Sequence, residues 1–522
     1  MTQLKAQADS TAQTTEIEES YILMQGFYPS GEPLPIEVLK RLYFLNLNDE
    51  PLPNPIRRVE TGKIFSQPPP SPFAIALRMP VEGFGEVTLY ADNQGRGYQP
   101  QDFPLQLNLA FARCRLHRVR HAISNWSQKA IEFSPKIKQR LQKASALLQA
   151  AEQTSVATQR TNLCNGVLRE SLWAGEEAVF TLARQEIKRQ PARQDFLFGC
   201  NFFNFQSTGV DSSYNQLFKQ LFNFATVPFY WRSFEPQAGI KKYQRVDKMV
   251  NWLESRGITP KGHPLVYLHR AGVPDWLEGK SYSQVKQSIY RSVSEITARY
   301  GKRIPYYDII NEANGLSWAN TLGYSLEQLL EIANLAATAS RAGNPQVQRI
   351  INHCCLWGTN VAFAQPPTTS PYQFLKSCQE AEIPFEFIGL QLYYPHQDMF
   401  EINRLLDRFS QLGKPIHITE IGVSSAPGKD EKSILGGPIG LWHSPWSESV
   451  QADWVEQFYT LCYSKPYIQA ITWWDFADIG HFWPYGGLLD ANLRPKPSFF
   501  KLSSLIHQWR TKNGKSSLYQ ST

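Results

Sequence analysis

Apolar and polar positions give this chain three textures. From about residue 21 to 120, Val87, Leu89 and Ala91, and again Leu105, Leu107, Leu109 and Phe111, stand at every second position between polar or small residues. That is the period of a half-buried strand. Pro68-Pro69-Pro70 and Gly95-Arg96-Gly97 mark loops between such runs. The segment 21–120 is therefore predicted to be a β-sandwich-like domain, either carbohydrate-binding or an inert packing unit. In 121–192 the period becomes helical. Ile137, Leu141, Ala144, Leu148 and Ala151 form one stripe after the start signal Ser134-Pro135, and Leu168, Leu172, Val179, Ala183 and Ile187 form a second. Two connecting helices are expected there.

From 193 to 510 the two periods alternate. Strand-like runs lie at 196–199, 226–229, 262–266, 307–310, 349–351, 387–390, 416–419 and 470–473. Amphipathic stretches such as 246–253, 326–337 and 454–461 separate them. Eight such units predict an α/β fold, a (β/α)8 barrel. A doubly wound sheet competes, but no Gly-rich phosphate turn follows the first strand. The ends, 1–20 and 511–522, read as a disordered tail and a short C-terminal tail.

Two of the runs end in glutamate. Tyr306-Tyr307-Asp308-Ile309-Ile310-Asn311 leads into Glu312, and Ile416-His417-Ile418-Thr419 leads into Glu420. Catalytic groups of such barrels sit at the C-terminal ends of strands. A pair of carboxyl groups there, one acid and one nucleophile, is what sugar hydrolysis with retention requires. Glu312 is read as the acid/base and Glu420 as the nucleophile. Asn311 suits a hydrogen bond to the sugar 2-hydroxyl.

Composition narrows the partners. Aromatic residues make up 13 % of the chain, with 14 Trp and 23 Tyr, which suits stacking on sugar rings and also suits a large core. The net charge of +7 is scattered, which disfavours nucleic acid. The Arg113 to Arg120 stretch is expected to edge a solvated strand. The seven cysteines show no metal-ligand spacing, and the adjacent Cys354 and Cys355 are not expected to bridge each other. No metal and no cofactor are expected. His417 is expected to pack outward. The N-terminus shows no signal peptide and no run is long enough to span a bilayer, so the default expectation is cytoplasmic, with export by another route left open.

Residues 195 to 510, about 60 % of the chain, resemble glycoside hydrolase family 10, retaining β-1,4-xylanases on clan A barrels. Asp308-Ile309-Ile310-Asn311-Glu312 is similar to the family's acid/base strand, and Ile418-Thr419-Glu420 to its nucleophile strand. Gly262-His263-Pro264-Leu265-Val266 with Pro274-Asp275-Trp276 resembles its third strand, and Gly389-Leu390-Gln391 its sixth. Trp473-Trp474-Asp475, Leu488-Leu489-Asp490 and Pro495-Lys496-Pro497 resemble its eighth strand and final helix. The resemblance implies a β-linked polysaccharide or oligosaccharide as substrate. It implies Gln391 near the nucleophile, His263 in or beside the cleavage subsite, Trp474 as the platform under the sugar and Trp483 as its cover.

The sequence also departs from the family. On the second strand Tyr230 stands where the family has Lys, and the Glu-Asn pair before it is gone. Tyr393 replaces a His after Gln391. The second His of strand three is displaced to His269, and the fifth strand ends Asn352-His353-Cys354-Cys355. The expectation is an endo-1,4-β-xylanase-like enzyme with a rebuilt sugar grip. A related β-glycanase or transglycosylase, or a non-hydrolytic carbohydrate-binding protein, are the alternatives.

Overall fold

The computed structural model describes residues 21–511, apart from 54, 56, 206–211, 394–395 and 438. The predicted tails, 1–20 and 511–522, lie outside the described residues except for Thr511, which ends the helix Pro497–Thr511.

All eight strand-like runs of the C-terminal part meet strands of one closed parallel barrel, the third, 262–266, only at 262–263. They are β1 (Leu197–Asn201), β2 (Phe224–Pro228), β3 (Thr259–His263), β4 (Tyr306–Asn311), β5 (Gln348–His353), β6 (Phe387–Gln391), β7 (Ile416–Ile421) and β8 (Ile468–Trp473). Strand order follows the sequence, and β8 pairs with β1 to close the ring. Each strand is followed by a helix, among them Tyr243–Glu254, Leu326–Gly343 and Glu448–Ser464, where the amphipathic stretches predicted them. The helix starts are locally encoded. Ser212, Ser281, Ser325, Ser370 and Ser447 each accept a backbone N–H of the first turn, as does Asp398. Each such cap contributes about 1 kcal/mol.

The barrel floor holds a surprise. His417 does not pack outward; its ring lies among Phe224, Tyr306 and Phe387, which come from β2, β4 and β6. It therefore points into the barrel. Strand pairing slips between Ile418 and Ile421, and between Leu390 and Gln391 on the neighbouring β6. That irregularity resets the alternation, so residues 417 and 420 both face inward despite their odd spacing. Burial pushes the His417 pKa down to about 3, which keeps the ring neutral.

The N-terminal part is more helical than the alternation at 105–111 suggests. Only Leu105–Gln106 is strand, and a helix α1 (Leu107–Gln128) starts immediately after. Leu107, Ala110, Phe111 and Cys114 are all buried, so a helical period coexisted with the alternating one and prevailed. Two more helices follow, α2 (Pro135–Gln153) and α3 (Ala157–Arg189), where two in all were expected. Before them lie a three-stranded sheet (Tyr43–Leu45, Ala74–Val81, Gly85–Ala91) and a four-stranded one (Arg57–Glu60, Lys63–Ser66, Ile22–Gln25, Leu105–Gln106). Both sheets share a core with the helices: Met24 and Ile64 from one, Ile75 and Leu89 from the other, Phe111 from α1 and Leu168 from α3.

The second half of α3 leaves that core, and Ala174, Ala178 and Val179 join the barrel's core instead. The arginine-rich stretch is likewise not a solvated strand. Arg115 on α1 is buried and donates to both oxygens of Asp398, at 2.7 and 3.0 Å, and to Glu401 at 3.2 Å. Asp398 caps the helix that follows β6, so this buried ion cluster fixes the N-terminal part to the barrel wall. Among the described residues, no helix is long and apolar enough to cross a membrane.

Candidate active site

Glu312 and Glu420 leave the C-terminal ends of β4 and β7 and enter one polar cluster at the mouth of the barrel. Each is only 6 % exposed. Glu312 adopts a left-handed backbone, φ 55°, and its N–H donates to the Asn352 carbonyl at 2.8 Å. A non-glycine residue held there stores strain on the order of 1 kcal/mol, and such strain concentrates at functional sites.

An amide relay joins the two carboxyl groups. Gln391 Nε2, from the end of β6, donates to Glu312 Oε1 at 2.8 Å and lies 3.3 Å from Asn311 Oδ1. Asn352 Nδ2, from β5, donates to the same Asn311 oxygen at 2.7 Å and to Glu420 Oε1 at 3.1 Å. Gln391 is the strand neighbour of Glu420, yet its side chain serves Glu312. With its oxygen occupied twice, Asn311 turns its NH2 group to Glu312. Two tyrosines complete the first contacts: Tyr267 donates to Glu312 Oε2 at 2.6 Å, and Tyr393 donates to Glu420 Oε2 at 3.0 Å.

Beneath Glu420 lies a buried charge pair. Asp308 Oδ2 accepts from Lys261 Nζ and from His263 Nδ1, both at 2.7 Å. His263 Nε2 then faces the Tyr230 hydroxyl at 3.3 Å and lies 3.7 Å from Glu420 Oε1. Burial opposes the charge on Asp308, but Lys261 and His263 outweigh it, so its pKa lies below the usual carboxylate range. Burial lowers the His263 pKa, so a neutral ring, proton on Nδ1, spans Asp308 and Tyr230.

The two glutamates respond differently from Asp308. Burial raises the Glu312 pKa, against the hydrogen bonds from Tyr267, Gln391, Asn311 and Cys354. Burial and then the neighbouring charge of Glu312 push Glu420 up to about 8, against the pull of Lys261 and Tyr393. Two carboxyl groups buried in one cluster cannot both be charged cheaply, which favours a state in which one of the pair keeps its proton.

Aromatic rings wall the cluster. Trp474 meets His263 edge-on at 5.3 Å and Phe203 at 5.1 Å. Trp483 stacks on Tyr393 with centroids 5.5 Å apart and donates to Ser424 Oγ at 3.1 Å. Trp473 packs away, its Nε1 on the Gly486 carbonyl at 2.9 Å. Lys496 pairs with Asp478 at 2.7 Å and donates to Ser425 at 2.8 Å, which ties the loops after β7 and β8 together. On the Glu312 side, Tyr267 stacks on His269 at 5.2 Å, and His269 meets Trp318 at 6.0 Å.

Glu312, Glu420, Asn311, Gln391, His263, Tyr230, Tyr393, Trp474 and Trp483 thus form one contiguous cluster, and His269 joins it through Tyr267. Sequence reasoning missed Tyr267, Asn352, Lys261 and Cys354. Asn352 had a visible signal: it is a polar residue ending an apolar run, and it pairs in register with Asn311. His353 is buried against Phe374 at 5.0 Å, on the helix that follows β5. Among the described residues, no three metal-capable side chains converge.

The family model described as glycosyl hydrolase family 10 matches residues 188–505. Endo-1,4-beta-xylanase B of Thermotoga neapolitana is 25 % identical over 327 residues, 58 % of this chain and 86 % of that protein. The beta-1,4-xylanase of Dictyoglomus thermophilum is 22 % identical over 315 residues, 55 % of this chain and 83 % of its own length. Endo-1,4-beta-xylanase 1 of Arabidopsis thaliana is 23 % identical over 270 residues, and the match spans only 25 % of that longer protein. Among solved structures, native xylanase 10B from Thermotoga maritima aligns with a TM-score of 0.48 at 20 % identity, over 62 % of this chain and 97 % of its own. A family model that matches more than half of the chain decides the relationship, and the chain belongs to glycosyl hydrolase family 10, a family of glycosidases.

Proposed function

We propose that this protein is a retaining endo-β-1,4-glycanase, xylanase-like in its preference, with Glu420 as nucleophile and Glu312 as acid/base. The observation that carries the reading is the relay of Asn311, Gln391 and Asn352, which holds two buried carboxyl groups at the ends of β4 and β7 in one polar cluster. In the first step a Glu420 oxygen attacks the anomeric carbon. The glycosidic bond breaks as Glu312 gives its proton to the leaving oxygen. In the second step Glu312, now ionised, takes a proton from water, and that oxygen displaces Glu420 from the sugar. Two inversions give net retention. The NH2 of Asn311, beside Glu312, suits a bond to the 2-hydroxyl that strengthens as charge develops.

The xylanase names of the relatives support a xylan preference. The cleft wall argues for a modified grip: Tyr230 and Tyr393 hold His263 and Glu420 where the family usually places Lys and His. On xylan, reducing ends should appear, and NMR should show the β-anomer first. No release from xylan, glucan or mannan, or initial α-anomer, would overturn the reading.

The leaving group must lie on the Glu312 side, where Tyr267, His269 and the 44 % exposed Trp318 lead outward to solvent. That row suits a sugar of the departing chain. Trp318→Ala should raise KM for polymer roughly five-fold, the equivalent of about 1 kcal/mol of ring stacking. Its kcat on an aryl glycoside, whose leaving group ends before Trp318, should stay near wild type. Equal changes on both substrates would remove Trp318 from the binding path.

A further inference from the structure

Cys354 and Cys355 end β5 beside the acid/base, and their sulfur atoms lie 3.3 Å apart. Cys355 takes a left-handed backbone, φ 59°, and that turn brings both side chains to one side despite their adjacency. Cys354 also bears on the Glu312 carboxyl, whose ionised form its thiol favours. The other five cysteines, Cys114, Cys164, Cys200, Cys378 and Cys462, are buried, and Cys355 is the one partly open to solvent.

We propose that Cys354 and Cys355 are a vicinal dithiol modification site that reacts with small disulfides, closes to an internal disulfide, and thereby slows the glycosidase. Cys355, as thiolate, attacks one sulfur of the small disulfide and releases one small thiol. Cys354 then attacks the Cys355 sulfur of the mixed disulfide and releases the second. The protein loses two protons and two electrons, and the small disulfide takes up both and is reduced to two thiols. Burial raises the pKa of Cys354, so it is a poor first attacker, and the more accessible Cys355 takes that role.

Adjacent Cα atoms are about 3.8 Å apart, below the usual disulfide span of roughly 4.4–6.8 Å. A ring closed there is strained and easily reduced, which fits a reversible bond and not a permanent staple. Closure takes the Cys354 thiol away from beside Glu312. The acid loses a partner that favours its charged form, so its pKa moves up further and the relay shifts.

The inhibitory half rests on Glu312 being the acid/base, whereas closure itself does not. Intact protein is treated with oxidised glutathione and, separately, with phenylarsine oxide, which needs two neighbouring thiols. Trypsin then releases residues 350–376, a peptide that carries these two cysteines and no other. Expected are loss of two hydrogen atoms from that peptide, a retained arsenical bridging both sulfurs, and a roughly two- to ten-fold fall in xylan hydrolysis. Dithiothreitol should restore activity. Cys355→Ser should keep its basal activity, resist both reagents and unfold thermally near wild type. A peptide unchanged in mass and unbridged would overturn the site. A closed peptide with undiminished activity would overturn the inhibition, as would a Cys355→Ser variant inhibited as strongly as wild type. If no substrate is turned over at all, the mass of the peptide still decides closure.

Discussion

Glu420→Gln is expected to lower turnover on xylan by on the order of 10⁴–10⁶-fold, the scale of removing a catalytic nucleophile. The substitution keeps the shape of the side chain and leaves Glu420's hydrogen-bonding position between Asn352 and Tyr393 occupied. What disappears is the oxygen that forms the glycosyl ester. Stability should not suffer. Burial and the charge of Glu312 already work against a charged residue 420, and a neutral amide relieves both. A wild-type-like melting temperature with vanished activity is therefore the expected signature. Glu420→Ala goes further: it leaves space under the anomeric carbon, and added azide should attack there and give the α-glycosyl azide from an activated β-aryl substrate. Recovery of the β-azide, or a Gln variant within ten-fold of wild type, would place the nucleophile elsewhere.

The barrel was legible because its signal is local and repeated. Each strand is a short apolar run, each helix a 3.6-period stripe, and Ser caps mark the starts. The two glutamates were legible for the same reason, since the strand end alone indicates which way a catalytic group faces. The polar contacts between strands were less so. Asn352 was visible at a strand end, but nothing in the sequence says that its amide bridges Asn311 and Glu420. Gln391 was placed near the nucleophile by the family resemblance; beside a slip in the β6–β7 pairing, its side chain goes to Glu312 instead. His417 shares the inward face with Thr419 by ordinary alternation, and it is Glu420, after the shift that follows Ile418, that breaks the period. At 105–111 two periods fitted a short stretch, and burial of Leu107, Ala110, Phe111 and Cys114 against α3 and the two sheets chose the helix. Arg115 was misread for want of its partners, since Asp398 and Glu401 lie some 283 and 286 positions away. Sequence distance of that size hides any ion pair.

Glu312→Gln is expected to cost roughly 10²–10⁴-fold on xylan, whose leaving group needs a proton, and much less on an aryl glycoside with an acidic phenol, which does not. The pH profile should separate this from mere disruption. In the wild type the active form has one proton shared by the pair. Two protons leave no nucleophile, and none leaves no acid. Both groups are held above the ordinary carboxylate range, Glu420 up to about 8, so the bell of activity should lie at higher pH than two ordinary carboxyl groups would give. Replacing Glu312 deletes the charge that raises Glu420. The acid limb should then move to lower pH, and on the activated substrate the alkaline limb should vanish. Stability follows with a definite sign. A carboxyl whose folded pKa is raised binds protons more tightly folded than unfolded, so the wild type loses stability as pH climbs from about 4.5 through about 8. The variant lacks one of the two charges and should lose less over that window. An unchanged bell, or equal losses on both substrates, would mean that Glu312 is not the proton donor, and the acid would have to be sought among the other groups on that side of the cleft.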